Sequence, residues 1–239
     1  MAITAISSSL RFDRRPPLAP VWHTLGLLIL IALPMISGVY VQRRGNTSAQ
    51  IFTRHASLRF SIPAIIYLAI LLVYTWWGVR RSGTGLSGLI GGSWITARKV
   101  FTDIGISLGF LVTVIIVMGA LTKVLGASNA KGINVILPNG PVEILVWIIL
   151  SLMAGIVEET VIRGYLQTQL CCWGLPVSLA VLAQAVIFGA GHAYEGFKAV
   201  VFISVFAILA GLLAIWRKSL RPGIIGHVAF DLLAILQRG

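Results

Sequence analysis

The chain has 239 residues, a net charge of +12, 57% hydrophobic residues and only 11% charged ones, with a mean hydropathy of +0.93. A soluble domain carries about 25% charged residues, so an ordinary soluble fold is excluded. The apolar residues lie in continuous runs near the roughly 20 residues a membrane-crossing helix needs, not in the alternation of barrel strands.

The expected fold is therefore all-α and polytopic. It is a bundle of about seven transmembrane helices with a polar cavity in its C-terminal half. A polar arm, 1–17, precedes the first span and shows no small-residue cleavage site, so it is read as uncleaved. In chain order the spans are expected at about 21–41, 60–79, 103–123, 142–166, 175–193, 197–216 and 222–236. Segment 82–93, rich in Gly and Ser, reads as a loop or surface-lying piece. Pro141 follows Asn139-Gly140 and suits a first helical turn. Two parts are expected: 1–139, an arm and about three helices, and 140–239, a set of core helices.

The positive charge does not point to nucleic acid. Lys and Arg occur in short clusters beside the apolar runs, such as Arg14-Arg15, Arg43-Arg44, Arg80-Arg81, Arg98-Lys99 and Arg217-Lys218. That placement is a topology signal. It favours a cytoplasmic N-terminus by a narrow margin, and the first loop (Arg43, Arg44, Arg54, Arg59) opposes it. The lipid bilayer is the expected partner, and no nucleic acid is expected. Cys171 and Cys172 are adjacent and read as small hydrophobes near a helix end. Asp103 and Glu143 fall near span starts, where negative charge suits a helix N-terminus. Trp76, Trp77, Trp94, Trp147, Trp173 and Trp216 read as interfacial anchors.

Three patterns gather ionisable groups where lipid makes them costly. They are Glu158-Glu159-Thr160-Val161-Ile162-Arg163, Phe188-Gly189-Ala190-Gly191-His192 and His227-Val228-Ala229-Phe230-Asp231. Glu159 and Arg163 are four apart and share a helix face, with the acid on the favourable side. Arg163 then neutralises Glu159, and Glu158 is left to face a cavity as a general base. Asp231, one turn after His227, is placed to fix its tautomer. Glu195, three residues after His192, can reach the same cavity. Together Glu158, Glu159, Arg163, His192, His227 and Asp231 suit a site that activates water and stabilises an oxyanion. A buried ion cluster that only packs helices is the structural alternative. By span position, His192 falls late in its helix and His227 early in its own, at different depths.

These patterns, in this order, resemble the CPBP family, which includes Rce1-type CAAX prenyl endopeptidases and bacterial abortive-infection proteins. Its pattern is E-E-x-x-x-R, then F-x-x-x-H, then H-x-x-x-N or D, and the resemblance covers about 140–237. It implies an intramembrane endopeptidase acting on a membrane-associated or prenylated protein or peptide, in a multi-pass protein of a bacterial inner membrane. Glu158 would activate water with help from His192, Glu159 and Arg163 would support that base, and His227 and Asp231 would stabilise the oxyanion. Prenyl endopeptidases carry Asn where this chain has Asp231. An ionised Asp donates no hydrogen bond, so Asp231 would be protonated or would orient His227. Zinc held by His and Glu remains an alternative, but no H-E-x-x-H is present and no cofactor is favoured. A non-catalytic immunity or scaffold protein and a proton-coupled transporter are the rival functions.

Overall fold

The computed structural model describes residues 16–43, 55–92, 94–126 and 136–237. Arg11, Arg14, Arg15, Arg44, Arg54, Lys131 and Arg238, and most of the N-terminal arm, lie outside the described residues. Among the described residues there are helices and no strands, as expected where lipid offers backbone groups no partners.

The helices are α1 (Val21–Arg43), α2 (Ala56–Val79), α3 (Leu86–Ile90), α4 (Ala97–Leu125), α5 (Pro141–Cys172), α6 (Val177–Gly191), α7 (Phe197–Arg217) and α8 (Arg221–Leu233). Each expected span corresponds to one helix. By length and composition, four of them suffice to cross a membrane: α2 with the 3₁₀ turn after it, α4, α5 and α7. The short members matter for the site. α6 has 15 residues and α8 has 13, so they span about 22 Å and 20 Å, less than the roughly 30 Å hydrocarbon core.

α5 is the central element. Pro141 opens it directly after Gly140, whose φ is 108°. It does not end at 166 as expected but runs on to Cys172. Its middle, Glu159–Gln167, is a π-helix, whose i→i+5 bonding widens the turn and recurs at functional sites. Residues 159–169 are all buried. A helix buried all round has neighbours on every side: α2, α3, α6, α7 and α8 all pack against α5, and α1 is tied to it by the hydrogen bonds of Tyr165. Of the expected cysteine positions, Cys171 is buried and Cys172 half-buried, and neither is in a disulfide.

Two glycines permit close approaches to α5. A Cβ on Gly155 would overlap the Val228 side chain and lie 3.2 Å from the Ile224 carbonyl, both on α8. A Cβ on Gly164 would lie 3.1 Å from the Leu89 carbonyl. Segment 82–93 is thus not wholly at the surface. Its helix α3 inserts Leu89, 1% exposed, under the π segment, and the Ile90 carbonyl accepts the Leu220 amide at 2.8 Å.

A buried polar lock ties α1 to α2 and α5. The Tyr74 carbonyl only accepts, so His23 Nε2 carries the proton and donates to it at 2.9 Å. His23 Nδ1 then accepts from Tyr165 Oη at 3.0 Å, and Tyr165 Oη in turn accepts from Thr24 Oγ1 at 2.8 Å. Gln169 completes the lock by accepting from the Leu18 amide at 2.7 Å and donating to the Ala19 carbonyl at 2.7 Å.

Two sequence expectations need correction. Trp147 is no interfacial anchor: it is buried, and its Nε1 donates to the Asp231 carbonyl at 3.4 Å. Asp103 is not a first-turn charge, because α4 begins at Ala97; it is buried and paired with Arg217 and Arg221. Glu143 does sit in the first turn of α5, where it accepts from the Asn139 amide and meets His55 Nδ1 at 3.2 Å.

The substitution Gly155→Val forces a branched side chain between α5 and α8. Overpacking of this kind costs about 1–3 kcal/mol. A lowered midpoint in thermal unfolding of the detergent-solubilised protein is the expected result.

Candidate active site

The six residues singled out from the sequence form one cluster. At its base lies Arg163, fully buried. Its Nη1 is 3.2 Å from Glu159 Oε1, and its guanidinium lies over the rings of Phe188 (4.6 Å) and Phe206 (5.9 Å). The contact has ion-pair distance without hydrogen-bond alignment, since none of the Arg163 nitrogens has a hydrogen-bond partner. Coulomb attraction and the two ring faces therefore hold the cation. Arginine suits this position because it is weakly hydrated and stacks on aromatic faces.

Glu159 Oε1 also accepts from His227 Nδ1 at 3.1 Å. This differs from the sequence expectation. Asp231 does not fix the His227 tautomer: its Oδ2 stands 3.8 Å from the other ring nitrogen, Nε2, beyond hydrogen-bond range. Glu159 fixes it instead, from the face of α5 that Gly155, one turn earlier, already packs against α8. With Nδ1 engaged, Nε2 faces Asp231 and Glu158, whose Oε2 is 3.7 Å away. Phe206 and Phe188 flank the ring at 4.9 and 6.4 Å.

The two adjacent glutamates differ sharply. Glu159 is 1% exposed at its side chain and Glu158 is 20% exposed. One is locked between Arg163 and His227, and the other keeps part of its side chain open.

His192 caps the C-terminus of α6. The Phe188 carbonyl only accepts, so the contact at 2.9 Å to Nδ1 places the proton there and leaves Nε2 as the basic nitrogen. The expected difference in depth between His192 and His227 does not arise. α6 stops at Gly191, short of a full crossing, and His227 lies in the middle of α8. Phe188 bridges them, 4.8 Å from the His192 ring and 6.4 Å from that of His227. Asp231 is within electrostatic reach of His192 as well as of Glu158.

Glu195 also joins the cluster. It ends the 3₁₀ turn Ala193–Glu195, is hydrogen-bonded to Tyr194, and lies within reach of His192 and Glu158. Tyr194 escaped the sequence reading. Its ring meets those of His192 (5.9 Å) and Phe60 (6.5 Å). Helical spacing from His192 gives no hint of it, because the chain leaves the α-helix at that point. Tyr67, from the N-terminal half, lies within electrostatic reach of Glu158 and donates to the Leu30 carbonyl at 3.1 Å.

Residues 140–233 match the family model described as type II CAAX prenyl endopeptidase, Rce1-like. This part of the chain is similar to that family. No curated protein and no solved structure matches the chain. The Rce1-like segment contains all six clustered residues and the helices that carry them. With the long apolar helices it indicates a multi-pass membrane protein, and it supports a protease at the general level.

Substituting Arg163→Met removes the cation from a buried pair. Breaking such a pair from one side costs about 3–5 kcal/mol. The double substitution with Glu159→Gln removes both charges and is expected to recover part of the loss. Equilibrium unfolding of both variants checks this.

Proposed function

We propose that the chain is an intramembrane endopeptidase in which Glu158 activates the attacking water. What supports this is the unequal treatment of two neighbouring carboxylates: Glu159 is held by Arg163 and His227, while Glu158 stays partly open 3.7 Å from His227 Nε2.

Water placed between Glu158 and His192 Nε2 gives its proton to the Glu158 carboxylate. The oxygen attacks the scissile carbonyl carbon, and the carbonyl electron pair moves onto oxygen. His227, held as the imidazolium with its Nδ1–H on Glu159, donates its second proton from Nε2 to that oxyanion. Preorganised donors in a dry site are commonly the largest catalytic contribution. Asp231 sits beside Nε2 and acts as a positioning residue for the ring, the role open to an ionised Asp. When the intermediate collapses, the C–N bond breaks and the proton held by Glu158 passes to the leaving nitrogen. One water is consumed, and a carboxyl group and an amine are released.

No step is routed through zinc. We further propose that the substrate is a membrane-associated or prenylated CAAX-type peptide and that the protein resides in a bacterial inner membrane.

The test is cleavage of a reporter peptide library, farnesylated CAAX peptides included, by the wild type and by Glu158→Ala. Loss of general-base function lowers rates by about 10²–10⁴-fold. Cleavage should fall by that amount in the variant and stay unchanged with a metal chelator. Undiminished cleavage by Glu158→Ala overturns the role of Glu158, and loss with chelator restores the zinc alternative.

A further inference from the structure

At the opposite end of α8 from Asp231, two arginines share one carboxylate. Asp103 Oδ2 is 3.3 Å from Arg221 Nε, and Asp103 Oδ1 is 3.6 Å from Arg217 Nη2. Asp103 also accepts from Trp94 Nε1 at 2.9 Å. Arg221 Nε further reaches Ser219 Oγ at 3.2 Å. Even so, Arg217 Nε and Arg221 Nη1 are buried without a hydrogen-bond partner. The cluster therefore has one positive charge in excess and two unused donors, before Lys218 beside it is counted.

Its location suggests what completes it. It lies where α7 ends, α8 begins and α4 starts. Trp94 and Trp216, exposed at 49% and 68%, mark this end as interfacial. Arg217 stacks on Trp216 at 5.4 Å and Arg221 on Trp94 at 5.6 Å. The arginine side chains keep 29% and 14% of their surface open, so the donors stay close to the headgroup layer. A guanidinium matches phosphate geometry, the N-terminus of α8 adds positive potential, and basic pockets between membrane helices suit anionic headgroups.

We propose that Arg217 and Arg221 bind a phosphate group carried by an anionic lipid headgroup, and that the bound lipid fixes the start of α8. The same short helix carries His227 and Asp231, and Ser107 of α4 bonds the Pro222 carbonyl at 2.8 Å. The site stands on its own geometry and is independent of the protease proposal.

The experiment is thermal unfolding of the full chain in detergent, titrated with phosphatidylglycerol, phosphatidylcholine or inorganic phosphate. Phosphatidylglycerol is expected to raise the midpoint and phosphatidylcholine to leave it nearly unchanged. The phosphatidylglycerol shift should fall at least twofold in R217Q/R221Q and in R217Q alone, which alters the more exposed side chain. It should persist in R80Q/R81Q, a control for general attraction to basic residues. Equal shifts in the wild type and both Arg217 variants overturn the site. A shift of the same size with inorganic phosphate overturns the lipid as its source.

Discussion

A cation buried in the middle of a membrane protein constrains everything around it. Arg163 has no exposure and no aligned hydrogen bond, so its charge is balanced by Glu159 and by the faces of Phe188 and Phe206. Those partners come from α5, α6 and α7. Glu159 in turn holds His227 on α8. One chain of contacts thus joins the four helices of the C-terminal half, and removing any charged member strands another in low dielectric. Such an arrangement gives geometric precision at the expense of stability.

The π segment makes this possible. It begins at Glu159 and takes in Arg163, and every residue from 159 to 169 is buried. An amphipathic helix offers one face to its neighbours, whereas this segment has neighbours all round. Glu159 and Glu158 are adjacent in sequence and still have different surroundings, one sealed and one partly open. The short helices α6 and α8 serve the same end. His192 at the tip of one is joined through Phe188 to His227 in the middle of the other.

The helical bundle was legible in the sequence because lipid forces long apolar runs, and each expected span has a helix. The ionisable residues were legible because they are rare and costly in such runs. The Glu159–Arg163 pairing followed from four-residue spacing, which the wider π turn preserves. Other features were hidden. The partner of His227 is distant in sequence, so local spacing favoured Asp231 over Glu159. Trp147 looked like the other tryptophans because its burial depends on α8. The role of Asp103 required knowing that the end of α7 and the start of α8 fold against α4. Tyr194 had no periodic signal, since it lies in a 3₁₀ turn.

The central claim is that neighbouring glutamates have separate duties, Glu159 structural and Glu158 chemical. The most direct measurement is the unfolding free energy of Glu158→Gln beside that of Glu159→Gln, under identical conditions. The account predicts near wild-type stability for Glu158→Gln and a loss of about 3 kcal/mol or more for Glu159→Gln, which leaves Arg163 uncompensated. Equal losses in the two variants, or a greater loss at Glu158, would contradict it.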